Sequence, residues 1–189
     1  MVQNRDDTSS EIILALLRGG MHVRRIADEL GIPHSTVHRR VNELVMDNVL
    51  DFRMEGKNKV VFIKRSFQAR NYVINAERYK FIRLLRTYPR LSVILEDMLA
   101  KTDSKLVILF GSHAKFKAKK DSDIDVFVET TDGAVKTDLE SVNSKIQVKI
   151  GKFVIDSALI KEIIKHHVLL RGVEEYYEKS GVFIPAESR

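Results

Sequence analysis

An apolar run ending in Gly-Ser, then ten residues, then Asp-x-Asp constrains this 189-residue chain more than any other feature. Residues 106–110, Leu-Val-Ile-Leu-Phe, are continuously apolar and read as a buried strand. Gly111-Ser112 falls where that strand turns into a helix: the glycine lets backbone approach a ligand, and the serine adds a hydroxyl at a helix start that favours anions. After a basic stretch, residues 123–129 read as a second strand. Asp123 and Asp125, spaced i, i+2, share one face roughly 6.5 Å apart along the chain. An anion cradle beside paired carboxylates is what metal-assisted phosphoryl chemistry requires.

The remainder of the C-terminal half reads as a third strand at about 145–153, a helix at about 157–167, a short apolar run at 168–170 and a last helical segment at 173–179. No helix is expected between the second and third strands. His166-His167 suits a helix end, and Tyr176-Tyr177 reads as packing.

The N-terminal sixty-five residues carry a different pattern. Thr8-Ser9-Ser10-Glu11 has the form of a capping box opening a helix with Ile12, Ile13, Leu16 and Leu17 on its apolar side, stopped by Gly19-Gly20. A second short helix follows at 22–30, ending at Gly31. A third runs from Pro33 to about Asn48, with Val37, Val41, Leu44 and Val45 as its buried stripe and Ser35, Thr36, Arg39, Asn42 and Glu43 opposite. Two β-prone runs, 49–54 and 59–64, flank Gly56-Lys57-Asn58 as a hairpin turn.

Residues 9–65 resemble a winged-helix DNA-binding domain, with IPHSTVHRRVNEL (32–44) as the recognition segment and 53–64 as the wing. The resemblance implies double-stranded DNA as partner. Ser35, Thr36, Arg39 and Asn42 would then face the major groove, Arg40 would touch phosphate, and Lys57 and Lys59 would meet backbone or minor groove. The alternative is a winged helix that mediates protein contacts only. A homodimer, reading two half-sites, is the analogous assembly.

LFGSHAKFKAKKDSDIDVFV (109–128), together with LIKEIIKHHVLLRGVEEYYE (159–178), resembles the minimal nucleotidyltransferases of the DNA polymerase β superfamily. That likeness implies an NTP held by Gly111, Ser112 and a lysine such as Lys115, and Mg2+ or Mn2+ on the catalytic pair Asp123 and Asp125. It implies transfer of a nucleoside monophosphate to a protein or small molecule, in some such proteins a HEPN-type partner on another chain. Two departures stand out. The position expected to carry a third carboxylate is Gln147, and Phe116 occupies a place where the family favours glycine. A regulator that senses nucleotide without transferring it, or a scaffold, are the competing readings.

The fold expected is therefore α+β: a winged helix at 1–65, a helical connector at 66–101 and a small nucleotidyltransferase-type mixed sheet with helices at 102–189. Charge agrees with a nucleic-acid partner near the N-terminus, since the net charge is +6 and residues 1–100 carry 17 basic against 12 acidic side chains. Cysteine is absent, which removes disulfides and thiolate zinc sites. No apolar run suggests a membrane span, and residues 1–7 lack a leader core, so a cytoplasmic location is the expectation.

Overall fold

The computed structural model describes residues 5–183, and it divides into two compact units, one reaching to Tyr79 and one spanning Lys80–Val182. The reading of residues 1–7 as lacking a leader core falls in part on positions 1–4, outside the described residues.

The first unit is three helices and a hairpin: α1 (Arg5–Leu16), α2 (Val23–Leu30), α3 (His34–Met46), β1 (Leu50–Glu55) and β2 (Asn58–Ile63). Ile12, Ile13, Ile26, Val37, Val41 and Leu44 are at most 1% exposed and form its centre. Each contributes roughly 1.5–3 kcal/mol of burial free energy, an upper estimate. Val45 stays only half-buried at the edge of that stripe. Thr8 and Ser9 are not caps. α1 begins three residues earlier, and both side chains are buried within it, so packing rather than capping decides their place. Gly31 closes α2 in the left-handed conformation. Strand β2 pairs antiparallel with β1 and, through reciprocal bonds between Met21 and Val61 (3.1 and 3.0 Å), also takes up the chain between α1 and α2. The turn is the pair Gly56-Lys57, with Asn58 already paired to Glu55 as the first residue of β2.

Residues 66–101 form two helices, α4 (Phe67–Thr87) and α5 (Leu91–Ala100), separated at Pro89. Proline cannot donate the bond that would carry α4 onward. Val73 and Ala76 of α4 are buried in the first unit. Leu84, Leu91, Leu95 and Met98 belong to the core of the second.

The second unit continues as β3 (Val107–Leu109), α6 (Gly111–Ala114), β4 (Ile124–Glu129), α7 (Gly133–Glu140), β5 (Ile146–Gly151), α8 (Ala158–Lys165), β6 (Val168–Arg171) and α9 (Val173–Ser180). Its strands lie in the order β5-β4-β3-β6, with β3 antiparallel to both neighbours and β4 parallel to β5. The mixed α+β character is as the sequence predicted.

Helix α7 was not. A parallel pair needs a crossover, and 133–140 supplies it, capped by the Asp132 carboxylate accepting the Ala134 N–H at 2.9 Å and pinned by fully buried Leu139.

The alternation of β4 separates the two faces of the sheet. Ile124, Val126 and Val128 join Val107, Leu109, Ile146, Val148 and Leu139 in one apolar layer. Asp125, Phe127 and Glu129 take the other face. There Phe127 meets Phe153 edge-on at 6.4 Å, and Phe153 meets Tyr176 at 5.5 Å. Tyr176 and Tyr177 are both buried, in keeping with a packing role.

Candidate functional site

The Gly-Ser turn and the carboxylate strand are brought together by the antiparallel pairing of β3 and β4. That pairing runs on past β3, where the Phe110 N–H donates to the Asp125 carbonyl at 2.9 Å. Gly111 then adopts φ +70°, and a β-carbon placed on it would lie 2.1 Å from Asp125 Oδ2. Only glycine lets the main chain of the anion turn lie against that carboxylate. Ser112 follows in the first turn of α6, partly exposed.

Asp123, exposed, precedes β4, and Asp125, half-buried, is its second residue. The Asp125 carboxyl is pushed above its ordinary value by burial first and by the Asp123 carboxylate second, against the opposing charges of His113 and Lys149. Two hard oxygen donors that repel each other fit one divalent cation, which would relieve that repulsion. Among the described residues no group of three or more His, Asp or Glu could hold a metal, so the pair has no third protein ligand of that kind.

The strand register shows why. Asp125 is paired directly with Gln147 across the parallel β4–β5 ladder, on the same face. An amide binds Mg2+ poorly and cannot take a proton at neutral pH. Asp156 does not replace it: it is exposed and pairs with Lys161 at 3.3 Å, while the cap of α8 is Ser157. Glu129 lies farther along β4, where it accepts the Phe153 N–H at 3.0 Å and pairs with Lys179 at 3.3 Å.

The basic segment is organised unevenly. Lys115 reaches helix α8 and pairs with Glu162 at 3.7 Å, whose charge also bears on Asp125. Phe116 holds φ +55°, a left-handed conformation that costs a non-glycine residue on the order of 1–2 kcal/mol. The Arg83 guanidinium stacks on its ring at 4.5 Å, and the ring packs against the core, which offsets the strain. His113, buried, bonds through Nδ1 to the Asp123 carbonyl at 2.9 Å. The sequence singles out neither this contact nor Glu162, Arg83 or Tyr88. No local motif marks these three, because each reaches the loop from another element.

In the first unit the predicted groove-facing residues split. Ser35, Arg39 and Asn42 are exposed on α3 and Thr36 is partly so; Arg39 rests against Glu43 at 3.3 Å. Arg40 is a correction. Its side chain is 8% exposed and paired with Glu43, on the packed side of the helix, so it is not presented to a phosphate. Lys57 and Lys59 are exposed on the hairpin, and the Lys59 ammonium lies 3.7 Å above the Phe52 ring.

Three helices with a hairpin wing form the first unit, and a mixed sheet carrying a glycine turn against an Asp-x-Asp strand forms the second, the arrangement of a helix-turn-helix domain followed by a nucleotidyltransferase-like domain. Residues 12–51 match the family model of the IclR helix-turn-helix domain, and residues 94–175 match that described as Polymerase beta, Nucleotidyltransferase. The chain thus fuses an N-terminal helix-turn-helix to a nucleotidyltransferase domain. No curated protein and no solved structure matches it. Among the described residues no helix is long and apolar enough to cross a membrane.

Proposed function

We propose that this protein is a DNA-binding transcriptional regulator whose C-terminal domain binds an NTP with a divalent cation and transfers the nucleoside monophosphate to an acceptor. The contact between Gly111 and the Asp125 carboxylate carries this reading. It sets the glycine turn directly against one of the two strand carboxylates, which supports a phosphate and its cation being held together there. Gly111, Ser112 and Lys115 hold the triphosphate, with Lys115 leaving Glu162 to do so. Asp123 and Asp125 hold Mg2+ or Mn2+, which when bound neutralises phosphate charge. Ser35, Thr36, Arg39 and Asn42 read base edges, and Lys57 and Lys59 contact the backbone. The boundaries 1–65, 66–101 and 102–189, cytoplasmic location, a homodimer on DNA and a HEPN-type partner complete the proposal.

The test is incubation with each labelled NTP and Mg2+, with and without Asp123→Ala/Asp125→Ala. Binding that survives the double substitution would remove the site assignment. Gln147 favours a second reading, a nucleotide sensor that does not transfer; Mg2+-dependent binding with no transfer to any acceptor selects it.

A further inference from the structure

Across from Asp125, strand β5 presents an amide and an ammonium. Gln147 lies directly across from Asp125 in the parallel ladder, and Lys149, two residues on along β5, takes the same face and is exposed. Lys149 has no ion-pair partner among the described residues, unlike Lys115, Lys136, Lys145, Lys161 and Lys179. Its charge reaches Asp125, where it opposes the upward pull of burial and of Asp123. β5 ends the sheet order, so its outer side is not covered by another strand.

A third carboxylate serves an acceptor hydroxyl, whose proton must leave as the oxygen attacks. An acceptor that is already an anion has no such proton. We propose, on the reading given above, that the acceptor is a phosphate monoester, held at Gln147 and Lys149, rather than an alcohol or phenol. The Gln147 amide N–H donates to one phosphate oxygen and the Lys149 ammonium balances its charge. An unprotonated oxygen of that phosphate attacks the α-phosphorus of the NTP. The new P–O bond forms as the bond to the β-phosphate bridging oxygen breaks, and pyrophosphate departs with the electron pair. The product is a pyrophosphate diester of acceptor and nucleoside, and no proton is exchanged. With inorganic phosphate as acceptor, NTP and phosphate give nucleoside diphosphate and pyrophosphate. A carboxylate at position 147 would repel such an acceptor. Its replacement by an amide is therefore a matching of charge and not a lost part.

Inorganic phosphate is the probe. The full chain is incubated with 32P-labelled phosphate, each NTP and Mg2+, beside a tyrosine peptide and glycerol as hydroxyl acceptors. Label is expected in the β-phosphate of a nucleoside diphosphate, and Asp123→Ala/Asp125→Ala abolishes it. Lys149→Ala and Lys149→Glu are expected to raise the KM for phosphate by about tenfold or more while the KM for NTP moves by less than about twofold. Gln147→Glu shifts preference towards the hydroxyl acceptors. Transfer confined to hydroxyls overturns the proposal, as does phosphate transfer indifferent to Lys149. NTP binding without transfer to any acceptor also overturns it and selects the sensor. Absence of Mg2+-dependent NTP binding instead removes the underlying reading.

Discussion

His113 and Asp123 are joined side chain to main chain: the imidazole Nδ1 lies 2.9 Å from the Asp123 carbonyl oxygen. A carbonyl only accepts, so Nδ1 carries the hydrogen. Tyr88 packs edge-on against the same ring at 5.1 Å, and its hydroxyl accepts the Ala118 N–H at 3.2 Å. The histidine beside the cradle is thereby a brace for the strand that carries the carboxylates. Its place in the structure is fixed by Tyr88, the residue after α4, and by the Asp123 carbonyl together.

The same brace sets an acid limit on stability. Burial lowers the His113 pKa from 6.5, with the Asp123 carbonyl and the Asp125 charge opposing. A depressed histidine favours the fold above the unfolded value, and that contribution is lost as pH falls from about 6.5 through the lowered folded value. Melting temperature is expected to drop on acidification across this window. In His113→Asn, which keeps a donor but does not titrate, the drop is expected to be shallower. Equal slopes in the two proteins would remove His113 as the cause.

Gly111→Ala is expected to abolish Mg2+-dependent NTP binding. The methyl would meet Asp125 Oδ2 at 2.1 Å, and the backbone would hold φ +70° with a β-carbon. The conformation alone costs roughly 1–2 kcal/mol, with displacement of the carboxylate in addition. Thermal melts and Mn2+ titration measure the two effects separately. Unchanged metal affinity would show that the turn and the carboxylate act independently.

Arg39 and Arg40 are adjacent in sequence and opposite in consequence. Arg39→Ala is expected to leave the melting curve unchanged and to cost roughly 1–3 kcal/mol of sequence discrimination on DNA. Arg40→Ala leaves Glu43 without its buried partner and is expected to lower stability by roughly 1–3 kcal/mol. Salt-dependent binding of both variants to specific and random duplexes, beside chemical denaturation, checks the pair. A loss of DNA affinity in Arg40→Ala at full stability would restore it as a phosphate contact.

Phe116→Gly removes the left-handed strain and also the ring that Arg83 stacks on. Relief of the strain, of order 1–2 kcal/mol, offsets only part of the lost ring packing and stacking, so stability is expected to fall by roughly 1–3 kcal/mol. Amide hydrogen exchange at residues 115–120 is expected to quicken, because the loop loses its anchor. Exchange at the parent rate would place the anchoring elsewhere.

The sequence was most legible where periodicity meets a local stop. The stripe Val37, Val41, Leu44, the hairpin around Gly56 and the break at Pro89 all carry their own punctuation. The candidate site was legible in part: alternation put Asp123 and Asp125 on one side, and the resemblance to nucleotidyltransferases pointed to Gln147, which the register places across from Asp125. Helix α7 was missed because its eight residues begin with glycine and carry only Val135 and Leu139 as apolar anchors. A parallel pairing of the flanking strands would have demanded it, but pairing direction is not written in either strand. Arg40 was misread because its burial depends on Glu43 and on packing around α3. Contacts such as Lys115–Glu162 and Arg83–Phe116 join residues far apart in the chain, and no local pattern encodes them.

Gln147 sits at a fixed rung of a ladder whose two strands cannot slip without turning Ile146 or Val148 outward. Its glutamine codons differ from those of glutamate by a single base. The backbone position across from Asp125 is thus fixed, and a single nucleotide change would place a carboxylate there. The functional group presented at this rung can change over evolutionary time without the fold moving at all.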